Sequence, residues 1–469
     1  MKPKVTTSVQ KVTITGYKDK WNLLLSEKRF REKTPTIESD GRNPFENDYG
    51  RLIASAPIRR LQDKTQVFPL ERSDYIRTRL THSLEVSYIA SSLGQSIEKL
   101  LIDNEELDRE KRGYLSSLLR VAGLVHDMGN PPFGHFGEEA IKSFFIDYFR
   151  GEHNNGITAQ EKADFENFDG NAQAFRLMTK LYYFGDEYSY NLTYATLSSI
   201  VKYPSNSKEG NQGKNYKEIA KRKFGYFVSE ENKYKEINDY LHLNSKRNPV
   251  VYLLEAADDI AYCAADLEDG VKLGIIHIDE IRNVLEANLV DNKERVLKYF
   301  DELCIKFKYE GKLKDSLIIQ NFRILVQRDM ISATIDCFKD NYPDIMTGSF
   351  EHEILEKSSA SDIRSTFKTL QGIIFNSKSV LKKELAGWEA LQGLLQIFVP
   401  ASSNEDFKSG GNSYNSRLYN IISTNYRKIY ENLKEKNRYH QIQLVVDFIS
   451  GMTDRFAIDL YQELKGIKL

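Results

Sequence analysis

Cysteine is scarce. Cys263, Cys304 and Cys337 are the only three in 469 residues, odd in number and far apart, which argues against a disulfide framework, leaves no cysteine-based zinc site and fits a reducing cytoplasm. An excess of one charge is missing too. The 66 Lys plus Arg against 67 Asp plus Glu leave a net charge of −1, so no global field draws the chain to nucleic acid or an anionic membrane, and any polyanion site must be local. Apolar runs such as Leu118–Val125, interrupted by Arg120, fall far short of the roughly 20 residues that span a bilayer. The opening MKPKVTTSVQKVTITGYKDKW starts positively but has no continuous apolar stretch, so no secretory signal is expected and the expected location is the cytoplasm. The 11 prolines are about half the average usage of roughly 5%, so few positions forbid helix.

What is present is an ordinary globular composition, 41% hydrophobic and 28% charged, long enough for two to four domains by the usual ~100–200 residues each. Apolar residues recur at helical spacing, and the expected class is all-α. Thr81–Leu101 can form a stripe of Leu84, Tyr88, Leu93, Ile97 and Leu100, and Gly137–Phe149 one of Ile141, Phe144, Phe145 and Tyr148. Val5–Tyr17 alternates like a strand, but its lysines and threonines suit a short β arm or edge element better than a core strand. Gly151–Asp164, Ser205–Tyr216 and Ser402–Ser416 read as loops between helices, and Asp279–Ser377 as amphipathic helices with little legible chemistry. No internal repeat is visible.

The richest segment is GLVHDMGNPPFGHFGEE, Gly123–Glu139. An apolar run delivers His126 and Asp127 to a point where Gly129-Asn130-Pro131-Pro132 breaks the helix, so side chains there can be held toward a cleft. A helix then restarts with His135 and Glu138 three apart on one face. A His-Asp dipeptide alone is weak evidence, and a Glu near a helix start is favoured by the dipole alone. The context strengthens the signal: RTRLTHSLEVSYIA brings His82, and YLLEAADDIAYCAADLEDG brings Asp258 and Asp259 inside an apolar helix, where adjacent carboxylates are costly unless paired or ligating. His82, His126, Asp127 and one of the two aspartates form a coherent mixed nitrogen and oxygen set for one divalent ion: manganese, iron, cobalt, zinc or magnesium. Asp258, Tyr262 and Asp266 follow i, i+4, i+8 and share a face, whereas Asp259 is rotated by about 100°, so Asp258 is the expected ligand.

With FDGNAQAFR, LTYATLSSIVKYP, KFGYFVSEE and DFISGMTDRFAIDLYQEL, these segments resemble the HD-superfamily deoxynucleoside triphosphate triphosphohydrolases, most closely the bacterial dGTPase type. The resemblance covers about Arg42–Gly270 and returns near the C-terminus. It implies an HD-domain helical core over 41–275, preceded by an arm at 1–40 and followed by a helical region over 276–469 that contributes to the nucleotide pocket and to a homo-oligomer interface, six copies being expected. The implied reaction is attack of water on the α-phosphorus of a dNTP, giving a deoxynucleoside and inorganic triphosphate, with dGTP preferred only by nearest resemblance. His82, His126, Asp127 and Asp258 match the family's metal set and His135 and Glu138 its catalytic pair. Asn130, three after Asp127, stands where binuclear HD phosphodiesterases use a further histidine, so one metal is expected. Arg79, Lys202 and Lys223 are implied phosphate contacts, Gln66 with Val67, Tyr262 and Asp266 surround the sugar, and Asn171 supports the substrate or its neighbours. Two other readings stay open: an HD-type phosphomonoesterase or phosphodiesterase, and a single-stranded DNA binder in which hydrolysis is secondary. The second draws on 27 Tyr and 25 Phe that could stack on bases beside local lysines and arginines.

Overall fold

The computed structural model of the chain describes residues 14–31, 40–151, 156–408 and 411–467. Among these the chain forms 22 α-helices and no sheet; the extended contacts are two isolated bridges, Arg29 with Thr193 and Thr65 with Thr78. Most of the strand-like Val5–Tyr17 stretch lies outside the described residues, and Ile14–Tyr17 form no strand. No described helix is long and apolar enough to cross a membrane.

Ten helices position the site: α1 (Arg79–Asp103), α2 (Tyr114–Val125), α3 (Gly134–Arg150), α4 (Gly170–Thr179), α5 (Pro249–Lys272), α6 (Lys314–Asp340), α7 (Ser361–Phe375), α8 (Lys378–Ala401), α9 (Arg438–Ser450) and α10 (Asp454–Leu464). α1 packs along α2 on one side and α5 on another, α5 also packs on α6 and α7, and α8 packs on α3, α9 and α10.

Helix α1 buries a different face from the expected stripe. Leu93 and Ile97 are buried and Leu100 is half-buried, but Leu84 and Tyr88 are 42% and 74% exposed. Tyr88 and Leu93 are five residues apart, a rotation of about 140°, so the stripe joined two faces. The buried face runs through His82, Val86, Ile89, Leu93, Ile97 and Leu101, and it is set by contact with α2. The two axes approach where neither can carry bulk: a Cβ on Gly123 would lie 2.7 Å from the Ser87 Cα, and one on Gly94 2.8 Å from the Ser116 Cα. The Ser87 hydroxyl donates to the Arg120 carbonyl at 2.7 Å across the same seam. His82 and His126 are therefore brought together by close helix packing, not by a loop.

Helix α3 turns Ile141, Phe144 and Phe145 inward and leaves Tyr148 half-buried. Part of the expected loop at Gly151–Asp164 is helical, because Ala159–Glu166 is opened by a capping box in which the Thr158 side chain accepts from the Glu161 N–H. The T-x-x-E spacing was the local signal.

Candidate active site

Thr78 caps α1, and His82 sits in its first turn with its ring 1% exposed. His126 closes α2. Its Nδ1 lies 2.8 Å from the Gly123 carbonyl; a proton there fixes the tautomer and leaves a lone pair on Nε2. That Nε2 is buried and makes no hydrogen bond. It lies 3.4 Å from Asp258 Oδ1, and His82 Nε2 lies 3.2 Å from the same oxygen. His82, His126 and Asp258 each offer one ligand atom, all within 4.8 Å of one another. Asp127 adds Oδ1 at 3.5 Å from His126 Nε2, while its carboxylate also accepts from the Asn130 amide at 2.9 Å and from Arg79. The neighbouring Asp259 points elsewhere, to the Tyr262 hydroxyl and the Arg364 guanidinium.

The electrostatics follow from this crowding. Burial pushes the His126 imidazole down, but Asp127 and Asp258 outweigh it and raise its pKa. Burial also opposes ionisation of the two aspartates, yet His126 with Arg79, for Asp127, and His126 with Lys202, for Asp258, hold both below the ordinary carboxylate range. An orphaned imidazole nitrogen beside ionised carboxylates is a donor set that fits a divalent cation.

Beside this cluster, α3 opens with two successive left-handed residues, Phe133 (φ 63°) and Gly134 (φ 57°). A side chain at Gly134 would also press on Arg79, 2.8 Å from its Nη2. This turn presents His135, 81% exposed, over Glu138, 3% exposed, with His135 Nδ1 at 2.9 Å from Glu138 Oε2. Glu138 Oε1 accepts the Gly170 N–H at 2.7 Å, and Lys223 Nζ lies 3.9 Å from Oε2. Burial alone would raise Glu138, but Lys223 and His135 bring it down to about 2, and Glu138 in turn raises His135. The buried glutamate is thus held as an anion beneath an exposed imidazole.

Three cations lie beside these groups. Lys202 Nζ is 3.5 Å from Asp258 Oδ2, and Lys223 Nζ is 2.7 Å from Asp169 Oδ2. Asn171 donates its side-chain amide to Asp169 Oδ1 at 2.7 Å. Arg79 is 5% exposed, pairs with Asp127 and donates to the Thr65 carbonyl at 2.7 Å. That carbonyl brings the following Gln66 and Val67 alongside; Gln66 Oε1 is buried without a hydrogen bond and Val67 is buried. Asp266 accepts from Gln371 Nε2 at 2.7 Å, and burial pushes its carboxyl up to about 7.

Sequence reasoning missed four residues around the cleft. Asp169 caps α4 and aligns both Asn171 and Lys223, and the D-x-N pattern in FDGNAQ was a usable cap signal. Arg364, on α7, binds Asp259. Lys64 is buried and donates to the Asn130 and Ser450 carbonyls at 2.6 and 2.9 Å, with burial lowering it to about 7. Asp454, on α10, accepts from Phe133 N–H at 3.0 Å.

Residues 79–242 match the HD domain family, and residues 412–463 match the phosphohydrolase-associated domain family. Over 468 residues the chain is 41% identical to a deoxyguanosinetriphosphate triphosphohydrolase-like protein of Listeria innocua, covering 96% of this chain and 100% of that protein. It is 33% identical over 498 residues to the deoxyguanosinetriphosphate triphosphohydrolase of Klebsiella pneumoniae (94% and 97% covered). Against that of Yersinia enterocolitica the identity is 31% over 482 residues (90% and 93%). With matches of this length and coverage, the chain belongs to the deoxyguanosinetriphosphate triphosphohydrolase family, HD-domain hydrolases acting on phosphoric ester bonds.

Proposed function

We propose that this cleft hydrolyses deoxynucleoside triphosphates, dGTP among them, at the α-phosphorus, releasing the deoxynucleoside and inorganic triphosphate with the help of one divalent metal ion. The observation that carries the reading is the buried, unbonded Nε2 of His126 facing Asp258 and His82, next to a histidine whose proton is controlled by a buried glutamate. His82, His126, Asp127 and Asp258 would hold the ion. When bound, it supplies positive charge against the phosphate oxygens and favours ionisation of water.

The chain's own groups do the rest. Accepting from His135 Nδ1, Glu138 leaves Nε2 as the atom that takes or delivers a proton. The bond that forms joins water oxygen to the α-phosphorus, the bond that breaks joins that phosphorus to the sugar 5′ oxygen, and the 5′ oxygen ends protonated. Arg79, Lys202 and Lys223 offset the charge of the triphosphate. Gln66 with Val67, Tyr262 and Asp266 are assigned to the sugar, and Asn171 to the support of the cleft through Asp169. The family resemblance supports a cytoplasmic homo-oligomer, six copies being the size to test by sedimentation. It also supports a catalytic core over 41–275 completed by the helical region 276–469.

The test is incubation of the purified protein with each dNTP and NTP in Mg²⁺ or Mn²⁺, with products separated by anion exchange. Triphosphate and deoxyguanosine from dGTP are expected. Orthophosphate or pyrophosphate as the first product would reject the assignment.

A further inference from the structure

The C-terminal motif GMTDRFA, Gly451–Ala457, has no part in the chemistry above. Its Asp454 opens α10 and is 2% exposed, although an aspartate in a helix's first turn usually faces solvent. Here both carboxylate oxygens are spent on the cleft. One accepts the Thr65 N–H at 2.9 Å and the Thr65 hydroxyl; the other accepts the Phe133 N–H at 3.0 Å. An ionised carboxylate has lone pairs enough to accept from all three donors at once.

Those donors belong to two residues, Thr65 and Phe133, each tied to a different part of the site. The Thr65 carbonyl accepts from Arg79 Nη2 at 2.7 Å, and the other terminal nitrogen of Arg79 pairs with Asp127. Thr65 precedes Gln66, whose carbonyl oxygen is buried and unbonded. Phe133 is the left-handed residue that launches His135 and Glu138, in a conformation that L side chains rarely adopt. Its ring is pinned by Gly387 of α8, where a Cβ would come within 2.5 Å. Lys64, one residue before Thr65, ties the Asn130 carbonyl to that of Ser450 at the end of α9.

We infer that Asp454 is a positioning residue for the hydrolysis proposed above, holding the Gln66 segment, the Arg79–Asp127 pair and the turn before His135 in mutual register. The inference rests on that reading. Removing the carboxylate frees the turn and the segment to shift, and a displacement near 1 Å at reacting groups costs roughly 100-fold in rate. Lys202 and Lys223 are untouched, whereas Gln66 and Arg79 move with Thr65, so KM should rise by no more than about threefold while the main loss falls on kcat.

Asp454→Ala, Asp454→Asn and Thr65→Val are to be compared with wild type for circular dichroism, and for kcat and KM on dGTP with Mg²⁺. For folded D454A, kcat should fall about 100-fold with KM within about threefold. D454N keeps one good acceptor and should recover part of that, ending about tenfold below wild type; T65V, losing the hydroxyl alone, should fall about threefold. A folded D454A with wild-type kcat, or one whose loss lies in KM, overturns the inference. Should D454A not fold, D454N and T65V decide: wild-type kcat in both overturns it, and the graded fall in kcat with KM within about threefold supports it. A wild-type protein that releases no triphosphate overturns the proposed reaction and this inference with it, whereas an active wild type with an unaffected Asp454 variant overturns this inference alone.

Discussion

Arg79 and Asp127 form a buried ion pair, their side chains 6% and 17% exposed, that ties the first residue of α1 to the residue just past α2. The two helices that supply His82 and His126 are thereby locked where their imidazoles meet, with ring centroids 5.4 Å apart. Replacing Arg79 by Ala leaves a half-buried Asp127 with His126 as the main group left to offset its charge, a loss toward or below the low end of the about 3–5 kcal/mol that breaking a fully buried pair costs. Arg79→Lys keeps a charge but cannot reach Asp127 and the Thr65 carbonyl together, so it should lie between. Urea unfolding of the three proteins checks the order, and an R79A as stable as wild type would contradict the pairing.

His126 carries a raised pKa in the ion-free protein because Asp127 and Asp258 outweigh its burial. A cation must therefore displace a proton that persists to higher pH than on a free imidazole, and binding should release it. Mn²⁺ affinity should weaken as pH falls through this range, with a proton release that calorimetry in buffers of different ionisation enthalpy detects. His126→Ala and Asp258→Ala should each weaken binding by at least about 100-fold and abolish triphosphate release while leaving circular dichroism unchanged. Retained affinity in both would remove the proposed ion site.

Glu138 holds the His135 proton through its charge and the 2.9 Å contact. Glu138→Gln removes the charge, so the His135 pKa should drop toward the ordinary value of about 6.5. Whichever limb of the kcat/KM profile reports His135 should then move to lower pH, with kcat lower as well. Histidine NMR titration of wild type and E138Q follows the ring directly; an unmoved His135 would show that the dyad is not coupled.

How much of this was legible depends on where the physical cause lies. The convergence of His82, His126 and Asp258 could be anticipated because His126 and Asp258 are costly groups in apolar stretches that need partners wherever the chain puts them, and the motif around His82 offered one. The face of α1 could not, since apolar residues occur on two sides and only packing against Gly123 of α2 selects one. Lys64 and Arg364 carry no local signal, and the segment around Asp454, though part of the resemblance, does not say what its carboxylate touches. Their partners Asn130, Asp259 and Phe133 lie 66, 105 and 321 residues away, so their roles exist only in the folded chain. The capped start at Ala159 is the opposite case, a four-residue pattern that was there to be read.

Asp266 offers a test that does not depend on catalysis. It is 3% exposed and accepts from Gln371; burial dominates and pushes its carboxyl from 3.8 up to about 7. Between those two values the folded chain keeps a proton that the unfolded chain has lost, so this group's contribution to stability falls as pH rises, by up to about 1.4 kcal/mol per pH unit. Asp266→Asn mimics the neutral form and removes the titration. Urea unfolding at intervals from pH 4 to about pH 9 should find D266N gaining steadily on wild type up to the folded pKa, the difference levelling off above it. Glu138, held at about 2, acts on the acid side of this window and in the opposite sense, losing stability as pH falls, so it does not mimic the effect. A constant difference between the two proteins would mean that Asp266 is already ionised in the fold, and its carboxylate would then be an acceptor for a sugar hydroxyl at neutral pH rather than a donor.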